Sequence, residues 1–346
     1  MESPKKDIRA LSLDEMIPVF TALGQQKFRA KQVYEWLWNK SAHTFEEMTN
    51  LSKELRDTLN NNFIINNVKV DKKQLSNDGT IKSRFLLHDN YFVEGVLIPD
   101  RERMTACVSS QVGCSLACTF CATGKMDRMR NLNADEIYDQ VVHIRNQALT
   151  QHNKPLTNIV FMGMGEPLLN YSNVMTGIQK ITSPEGLGMA ASRITVSTAG
   201  VAKMIRKLGD DAVRFNLALS LHAATDEKRD KIMNINESNK LDVLAESLQY
   251  FYQKTGNKIT LEYIVFDNFN DSLEDAEDLY QFSLNVPCKI NLIEYNPIGD
   301  GAYENASIDK IDRFQRYLES KGRIVTVRRS RGRDIDAACG QLANKG

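Results

Sequence analysis

The sequence predicts an α/β protein in which a helix-covered parallel sheet follows a small helical region and a short β-rich extension. From residue 104 onward, strand-like runs alternate with helical patterns about six or seven times. Such alternation is typical of parallel sheets built from βα units. Six or seven units are too few for an eight-stranded barrel, so an open partial barrel and a doubly wound sheet are the alternatives. A chain of 346 residues can hold one large domain with a small one.

The first predicted region, residues 1–62, is helical and contains a cluster of aromatic residues. Apolar residues recur at helical spacing in three segments: residues 11–23, 28–40 and 52–60. The second segment is basic on one side and carries Tyr34, Trp36 and Trp38. We expect these aromatics to pack inside a small domain that exposes its basic face. Direct stacking of exposed rings on nucleic-acid bases is the alternative.

The second predicted region, residues 63–100, is a short β-rich extension, and the third, residues 101–346, is the main domain. Turn signals at residues 77–79 and 89–90 separate the strand-like runs of the extension, at residues 68–70, 80–88 and 91–98. In the main domain we predict strands over residues 104–109, 158–162, 193–197, 214–221, 258–266, 289–295 and 323–328. The predicted helices cover residues 134–149, 172–182, 201–208, 226–233, 241–254, 273–284 and 308–321.

The composition is that of an ordinary globular protein with an unusual use of cysteine. It is 42% hydrophobic and 25% charged, with a net charge of zero that does not by itself indicate nucleic acid. No apolar run reaches the ~18 residues of a membrane span, and no secretory signal is visible, so we expect a cytoplasmic protein. Six cysteines in a reducing compartment point to metal or redox chemistry rather than to disulfides.

Three cysteines after the first predicted strand of the main domain form a candidate metal site. Cys114, Cys118 and Cys121 have the spacing C-x3-C-x2-C. Three thiolates on a four-iron cluster leave one iron open to a ligand that is not protein. A zinc site with a fourth thiol from Cys107, Cys288 or Cys339, and an electron-transfer cluster, are the alternatives. Phe120 and the position of the loop favour the three-cysteine cluster, and we read Cys288 as a core residue.

Polar and small residues follow the other predicted strands of the main domain, where βα folds gather their functional groups. They are Gly163 to Pro167 after the second strand, Ser197 after the third, Ser220, Leu221 and His222 after the fourth, and Asn296 after the sixth. Glycine backbone, a carboxylate, hydroxyls and an amide suit a polar, zwitterionic ligand with a ribose. Alone, the glycines could form an ordinary tight turn, and His222 could be a satisfied rim histidine.

Five motifs along the chain carry a resemblance to a known family. They are CVSSQVGCSLACTFCATG, FMGMGEPLLN, SLHAATDEKRDKIMNIN, LIEYNPIG and DIDAACGQL. The cysteine loop with GMGEP resembles the radical S-adenosylmethionine (SAM) superfamily, and the whole set resembles the RlmN/Cfr family of radical SAM RNA methyltransferases. The resemblance covers roughly residues 90–342, and the helical first region also looks like that family's. It implies a partial (βα)6-type radical SAM barrel.

The resemblance also implies roles for individual residues. Cys114, Cys118 and Cys121 would hold a [4Fe–4S] cluster, and two SAM molecules would be used per turnover. The residues implied to contact SAM are Gly165, Glu166, Ser197, Ser220, Leu221, His222 and Asn296. Cys339 would carry a methyl group and then become linked to the RNA base, and Cys107 would resolve that adduct by forming a disulfide with Cys339. Glu94 matches a position proposed as proton acceptor.

The substrates implied by the resemblance are RNA adenosines. The expected activity is methylation of adenine carbon 2 in 23S rRNA and beside the tRNA anticodon, and the GEPLLN sequence looks like the RlmN branch. A Cfr-like carbon-8 methyltransferase that confers antibiotic resistance, and an RNA-binding protein with a structural zinc, are the alternatives. A basic strip, residues 321–333, is expected to hold RNA phosphates. We further expect a monomer, no membrane association and an electron donor such as flavodoxin.

Overall fold

The computed structural model describes residues 5–299 and 301–344. Residues 1–4, 300, 345 and 346, which include the outer ends of the first and third predicted regions, lie outside the described residues. The first region contains β1 (Lys6–Asp7), α1 (Leu13–Ala22), α2 (Lys27–Trp38), α3 (Lys53–Asn62) and β2 (Phe63–Ile64). Ser12 and Glu15 form a capping box that fixes the start of α1. The three predicted helices are therefore present, and β1 pairs with β2 in parallel.

The predicted β-rich extension is part of the main sheet rather than a separate layer. It consists of β3 (Lys69–Leu75), β4 (Ile81–Leu86) and β5 (Phe92–Asp100), and β5 turns into β6 (Arg103–Cys107). These four strands pair in antiparallel fashion, β3 with β4, β4 with β5 and β5 with β6. Since β6 also pairs with the first parallel strand that follows it, the extension and the parallel part share one sheet.

The remainder of the chain alternates helices and strands, as predicted. A two-stranded ribbon, β7 (Gln111–Val112) and β8 (Arg130–Asn131), flanks the cysteine loop. The following strands are β9 (Asn158–Phe161), β10 (Ile194–Thr198), β11 (Asn216–Ser220), β12 (Ile259–Val265), β13 (Cys288–Glu294) and β14 (Val325–Arg328). The helices are α4 (Ala134–His152), α5 (Tyr171–Thr182), α6 (Ala202–Asp210), α7 (Asp226–Ile232), α8 (Leu241–Thr255), α9 (Leu273–Ser283) and α10 (Ile308–Ser320).

The order of the strands decides between the two predicted architectures. The ten-stranded sheet runs β14-β13-β12-β11-β10-β9-β6-β5-β4-β3. From β6 to β14 the parallel strands follow chain order without the reversal that defines a doubly wound sheet. The predicted α/β class and partial barrel are confirmed. No helix in the described part of the chain is long and apolar enough to cross a membrane.

The helical first region is fixed to the main domain by buried contacts. The Arg9 guanidinium binds the Asp139 carboxylate at 2.7 Å and that of Asp135 at 3.1 Å, both on α4. The ammonium of Lys180, on α5, lies 4.4 Å from the Tyr34 ring centroid and 4.6 Å from that of Trp38. Trp38 is buried. These two aromatics therefore pack between elements, as expected, instead of forming an open stacking surface.

Candidate active site

A pocket opens where the parallel strands end, at the edge of the sheet where the polar loops gather. It encloses about 900 Å³, including its open mouth, which is within the usual size of small-molecule sites. Residues predicted from sequence that line it are Cys114, Cys118, Cys121, Gly163, Gly165, Glu166, Ser197, Ser220, His222 and Cys339. The sequence prediction that these separate loops form one site is consistent with this arrangement.

The cluster loop, which we define as residues 113–125, presents its three cysteines to this pocket. Backbone hydrogen bonds shape it: the Cys121 N–H donates to the Cys118 carbonyl at 3.2 Å and the Gly124 N–H to the Cys121 carbonyl at 3.0 Å. A Cβ at Gly124 would lie 2.8 Å from the Cys118 carbonyl oxygen, so glycine is required there. Phe120 is buried and packs edge-on against the His222 ring, 4.9 Å between centroids.

The chemistry of this donor set fits the [4Fe–4S] cluster that the resemblance implies. Burial raises the pKa of Cys114 to about 11 and raises that of Cys118 and Cys121 as well. Burial thus disfavours the three thiolates, and bound iron would supply the positive charge that stabilises them. Among the described residues, no three His, Cys, Asp or Glu side chains approach one point closely enough to bind a single ion. A cluster binds each thiolate through a different iron, so its ligands need not converge on one ion.

Glu166 closes the pocket on the side of β9 and β10. Its Oε2 accepts the Ala199 N–H at 2.7 Å and its Oε1 accepts the Leu168 N–H at 3.0 Å. Burial raises the pKa of this carboxyl group to about 6. Gly165 precedes it with φ +91°, and a Cβ there would lie 2.4 Å from Gln111 Cβ, which explains the glycine.

His222 and two serines line the pocket beside β10 and β11. The Ser197 and Ser220 hydroxyl oxygens are 3.3 Å apart. His222 Nδ1 accepts the Ile264 N–H at 3.1 Å, and burial, assisted by the Arg229 charge, lowers the pKa of the imidazole to about 3. The ring is therefore neutral and carries its proton on Nε2, which makes it a hydrogen-bond donor.

Two of the residues that the resemblance places against SAM do not line the pocket. Leu221 is fully buried, and its backbone N–H donates to the Glu262 carbonyl at 3.0 Å. Asn296 is buried at the neighbouring strand end, where its amide donates to the Cys339 carbonyl at 3.4 Å and accepts from Arg333. A contact between SAM and either residue stays a prediction.

Cys339 lines the pocket, whereas Cys107 is not among the lining residues. Cys339 is exposed and lies in the C-terminal tail, which we define as residues 332–344, whereas Cys107 is buried at the end of β6. Burial, and then the charge of Cys339, raise the pKa of Cys107 to about 12, while Arg328 opposes that shift. All six cysteines are free thiols, so the predicted disulfide is absent from this state. Cys288 packs against the core, as expected.

Glu94 lies beside the tail instead of lining the pocket. It is 1% exposed, and its Oε1 lies 3.5 Å from the Lys82 ammonium, which is equally buried. Its Oε2 accepts the backbone N–H groups of Ala343 and Asn344 at 2.9 and 3.1 Å. Both oxygens of this carboxylate are therefore occupied, so a role as proton acceptor requires the tail to release it.

Sequence reasoning missed a partly buried ion pair in the pocket and the carboxylate partners of a basic segment. Glu262 and Arg328 line the pocket, with Arg328 Nη1 3.3 Å from Glu262 Oε2. The sequence did contain a signal for this ion pair, because Glu262 is a lone carboxylate in the apolar run ITLEYIV. The strip at 321–333 was expected to face RNA phosphates, yet five of its six cations have a carboxylate within 4.0 Å: Lys321, Arg328, Arg329, Arg331 and Arg333. RNA phosphates would compete with these carboxylates for the strip, and its phosphate role stays a prediction.

Comparisons with known proteins agree over the whole chain. Residues 6–65 match the ribosomal RNA large subunit methyltransferase N-terminal domain, and residues 108–282 match the radical SAM superfamily. A Cytophaga hutchinsonii protein, "probable dual-specificity RNA methyltransferase RlmN", is 62% identical over 99% of this chain and 94% of its own length. The Geobacter sulfurreducens "dual-specificity RNA methyltransferase RlmN" is 44% identical over 98% and 92%.

A solved structure supports the same assignment. The crystal structure of a radical SAM methyltransferase from Sphaerobacter thermophilus superposes with a TM-score of 0.93 at 37% identity, covering 98% of this chain and 100% of that one. Both the fold and the sequence are therefore shared over nearly the full length. The chain belongs to the RlmN family of the radical SAM superfamily.

Proposed function

We propose that the chain methylates carbon 2 of adenine in 23S rRNA and in tRNA next to the anticodon. The names of the relatives support RNA methylation with dual specificity. The observation that carries the proposal is the position of Cys339: a free, exposed thiol from the C-terminus lines the same pocket as the three cysteines of the cluster loop. A thiol there can carry a one-carbon unit between SAM and a base.

The chain's radical SAM membership implies a [4Fe–4S] cluster and SAM as cofactors. We assign the cluster to Cys114, Cys118 and Cys121. When bound, the cluster supplies the electron that cleaves SAM and so starts the radical chemistry. Glu166, Ser197, Ser220 and His222 are assigned to SAM: a carboxylate and two hydroxyls can bind an amino group and a ribose, and the His222 Nε2–H can donate to an acceptor.

Cys339 and Cys107 have different roles in the covalent chemistry. Cys339 accepts a methyl group from SAM. The radical that the cluster and SAM would supply would then remove one hydrogen atom from this methyl group, and its carbon would bond to carbon 2 of the base. The adduct would return one electron to the cluster and lose the carbon-2 proton to Glu94. The Cys107 thiolate then attacks the Cys339 sulfur: the S–S bond forms, the bond from that sulfur to the one-carbon unit breaks, and its electron pair takes up a proton to complete the methyl group. Because burial raises the pKa of Cys107, this step needs the positive charge of Arg328 close by.

The proposal also covers the localisation, the oligomeric state, the electron donor and the division of the chain. We place the enzyme in the cytoplasm, where its RNA substrates are, and propose that it acts as a monomer and takes electrons from a donor such as flavodoxin. We also propose that the chain divides into a helical region (1–62), a β extension (63–100) and a radical SAM core (101–346). A carbon-8 methyltransferase remains the competing activity of the same family, although the relatives named RlmN do not favour it.

Mass spectrometry of 23S rRNA and tRNA from a strain that has lost its own carbon-2 methyltransferase tests the proposal. Expression of this chain should add one methyl group to carbon 2 of adenine in both RNAs. Methylation of carbon 8, or of neither carbon, would refute it.

The two-cysteine scheme is tested by Cys107→Ala, with Cys288→Ala as the matched control. We expect Cys107→Ala to retain iron and to accumulate RNA joined covalently to Cys339, detectable as a slower band in denaturing gels. Cys288 lies in the core, so Cys288→Ala should turn over without accumulating the adduct. Normal turnover by Cys107→Ala would mean that another group resolves the adduct.

A further inference from the structure

The guanidinium of Arg229, on α7, is fully buried and surrounded by neutral oxygens. Its Nη1 donates to Asn236 Oδ1 at 2.7 Å, and its Nε donates to the Leu221 carbonyl at 3.1 Å. Its Nη2 donates to the carbonyls of Ala199 and Ser220, at 2.6 and 3.3 Å. These carbonyls belong to the loops after β10 and β11. Arg229 therefore joins two loops of the pocket, but its hydrogen bonds supply no full negative charge.

A buried cation without a carboxylate partner is unusual and energetically unfavourable. Across residues 5–299 and 301–344, no Asp or Glu oxygen lies within 4.0 Å of Arg229. Asp226 and Asp230 on the same helix accept hydrogen bonds from the Asn236 amide, and Asp230 also pairs with Lys240. Asp226 and Asp230 therefore act on the Arg229 charge only from beyond the Asn236 amide, and no described carboxylate contacts the guanidinium directly. A bound group of negative charge would complete the site.

The cluster loop lies next to this cation. The carbonyl of Ile232, at the end of α7, accepts the Thr119 N–H at 3.1 Å, so the helix is bonded to the residue that follows Cys118. Ala199 and Ser220, whose carbonyls Arg229 holds, line the same pocket as Cys118. A [4Fe–4S] cluster on three thiolates is anionic and gains another negative charge when it is reduced. The counter-charge that Arg229 lacks is therefore one that the cluster supplies.

We propose that Arg229 is a positioning residue whose positive charge stabilises the reduced form of the cluster and raises its midpoint potential. Attraction to a buried cation is strong because little water lies between the charges, and it grows when the cluster accepts an electron. The same side chain holds the carbonyl of Ala199, whose N–H binds Glu166. Arg229 thus links the cluster to the loop that holds the pocket's carboxylate.

The experiment is a potentiometric titration of the iron-loaded full chain, followed by the EPR signal of the reduced cluster. Arg229→Met removes the charge, and Arg229→Lys keeps it while losing some of the hydrogen bonds. Lys231→Met is the matched control, because Lys231 lies on the same helix with its side chain 57% exposed and paired with Glu227. We expect Arg229→Met to be reduced at a more negative potential. A tenfold smaller reduced-to-oxidised ratio at one potential would correspond to about 59 mV. Arg229→Lys and Lys231→Met should stay close to wild type.

The outcomes separate the charge from a purely structural role. An iron-loaded Arg229→Met with the wild-type midpoint, or an Arg229→Lys shifted as far as Arg229→Met, overturns the inference. If Arg229→Met and Arg229→Gln both fail to load iron while Arg229→Lys loads normally, the need for the charge is supported. If Arg229→Lys fails as well, the role is structural and the inference is wrong. Because the inference rests on the cluster site proposed above, a wild-type chain that binds no iron refutes that site instead.

Discussion

The two segments that bring cysteines to the pocket are held in place by different kinds of bond. The cluster loop is shaped largely by its own backbone hydrogen bonds and by one to the end of α7. The C-terminal tail is held mainly by side chains of distant residues: Asp334 by Ser76 and Asn77, Gly332 by Asp78, Asp336 by Lys82, Ala343 and Asn344 by Glu94, and Leu342 by Thr123.

This difference indicates which half of the site can move. Backbone bonds within a loop survive most single substitutions, whereas most of the bonds from the tail to distant residues depend on a side chain. Local opening starts where few such contacts must break. A tail held in this way can release Cys339 toward a bulky RNA base while the cluster loop stays in place. Each prediction below alters one of the two halves.

The largest expected effect comes from removing a thiol of the cluster loop. Cys118→Ala should lower the iron content from about four per chain to near zero and abolish methylation, because three thiolates are needed to hold the cluster. The tail should remain docked, so the alkylation rate of Cys339 should match that of the wild-type chain prepared without iron. Iron analysis and timed iodoacetamide labelling measure both quantities. Loss of iron together with faster labelling of Cys339 would show that the two halves are not independent.

The tail should respond most strongly to Lys82→Met. This change leaves the Glu94 carboxylate buried without its cation, which costs about 3–5 kcal/mol when one partner of a buried pair is removed. It also removes the hydrogen bond from Lys82 to the Asp336 carbonyl. We expect a lower free energy of unfolding in urea and faster alkylation of Cys339, with iron content unchanged. Lys73→Met, on the exposed face of β3, is the control and should alter neither quantity.

The pH dependence of stability tests the surroundings of the rigid half through Glu166, which lines the same pocket as the cluster loop. Burial raises the pKa of Glu166 from 4.5 to about 6 in the folded chain. Its contribution to folding is therefore fully present below pH 4.5 and is lost as the pH rises through 6, a change of about 2 kcal/mol. Burial raises the pKa of Asp135 into the same range. For that reason the informative quantity is the difference between wild type and Glu166→Gln.

Urea unfolding of the iron-free full chain at pH 4.5, 6.0 and 7.5 measures this difference. Wild type should lose more stability than Glu166→Gln between the lowest and the highest pH, since the variant keeps Asp135 but lacks the buried carboxyl group. Equal losses in the two chains would show that hydrogen bonds in the folded chain stabilise the Glu166 carboxylate to the same extent as water does in the unfolded chain.

Sequence patterns predicted the alternating strands and helices, because those patterns arise from neighbouring residues and their periodicity. The three cysteines of the cluster loop were also visible, since a local spacing carries them. Contacts between residues far apart in the sequence could not be predicted from these local patterns. The partners of the arginines at 321–333 lie on other strands and loops, so a run that looks basic in the sequence is mostly neutralised in the fold.

The roles of Cys339 and Glu94 show the same limit. Cys339 lies between small residues and has no local pattern that distinguishes it from a core cysteine, so only the family resemblance singled it out. Glu94 could have been a solvated strand carboxylate. It is instead buried with Lys82, because the tail returns to cover both side chains after about 250 residues of intervening chain.

The smallest expected effect concerns a side-chain bond that joins the two halves directly. The Thr123 hydroxyl, in the cluster loop, donates to the Leu342 carbonyl in the tail at 2.5 Å. Thr123→Val keeps the shape of the side chain and removes this bond, which is worth about 1 kcal/mol, together with the interaction of the hydroxyl with the Cys121 thiol. If the tail is the movable half, the loss should appear as a few-fold faster alkylation of Cys339, while iron content stays at the wild-type value.

A matched control distinguishes the loss of this bond from a general effect of valine. In Thr182→Val the lost bond is local, from the hydroxyl to the Ile178 carbonyl within α5. That variant should label Cys339 at the wild-type rate. A second bond, from the Ala122 N–H to the Gly340 carbonyl at 2.7 Å, joins the same two halves through the backbone and survives in both variants. Faster labelling in Thr123→Val alone would therefore show that a side chain helps to hold the tail closed. An unchanged labelling rate would mean that the backbone bond alone holds the tail against the cluster loop. The tail would then not depend on a side chain at this contact.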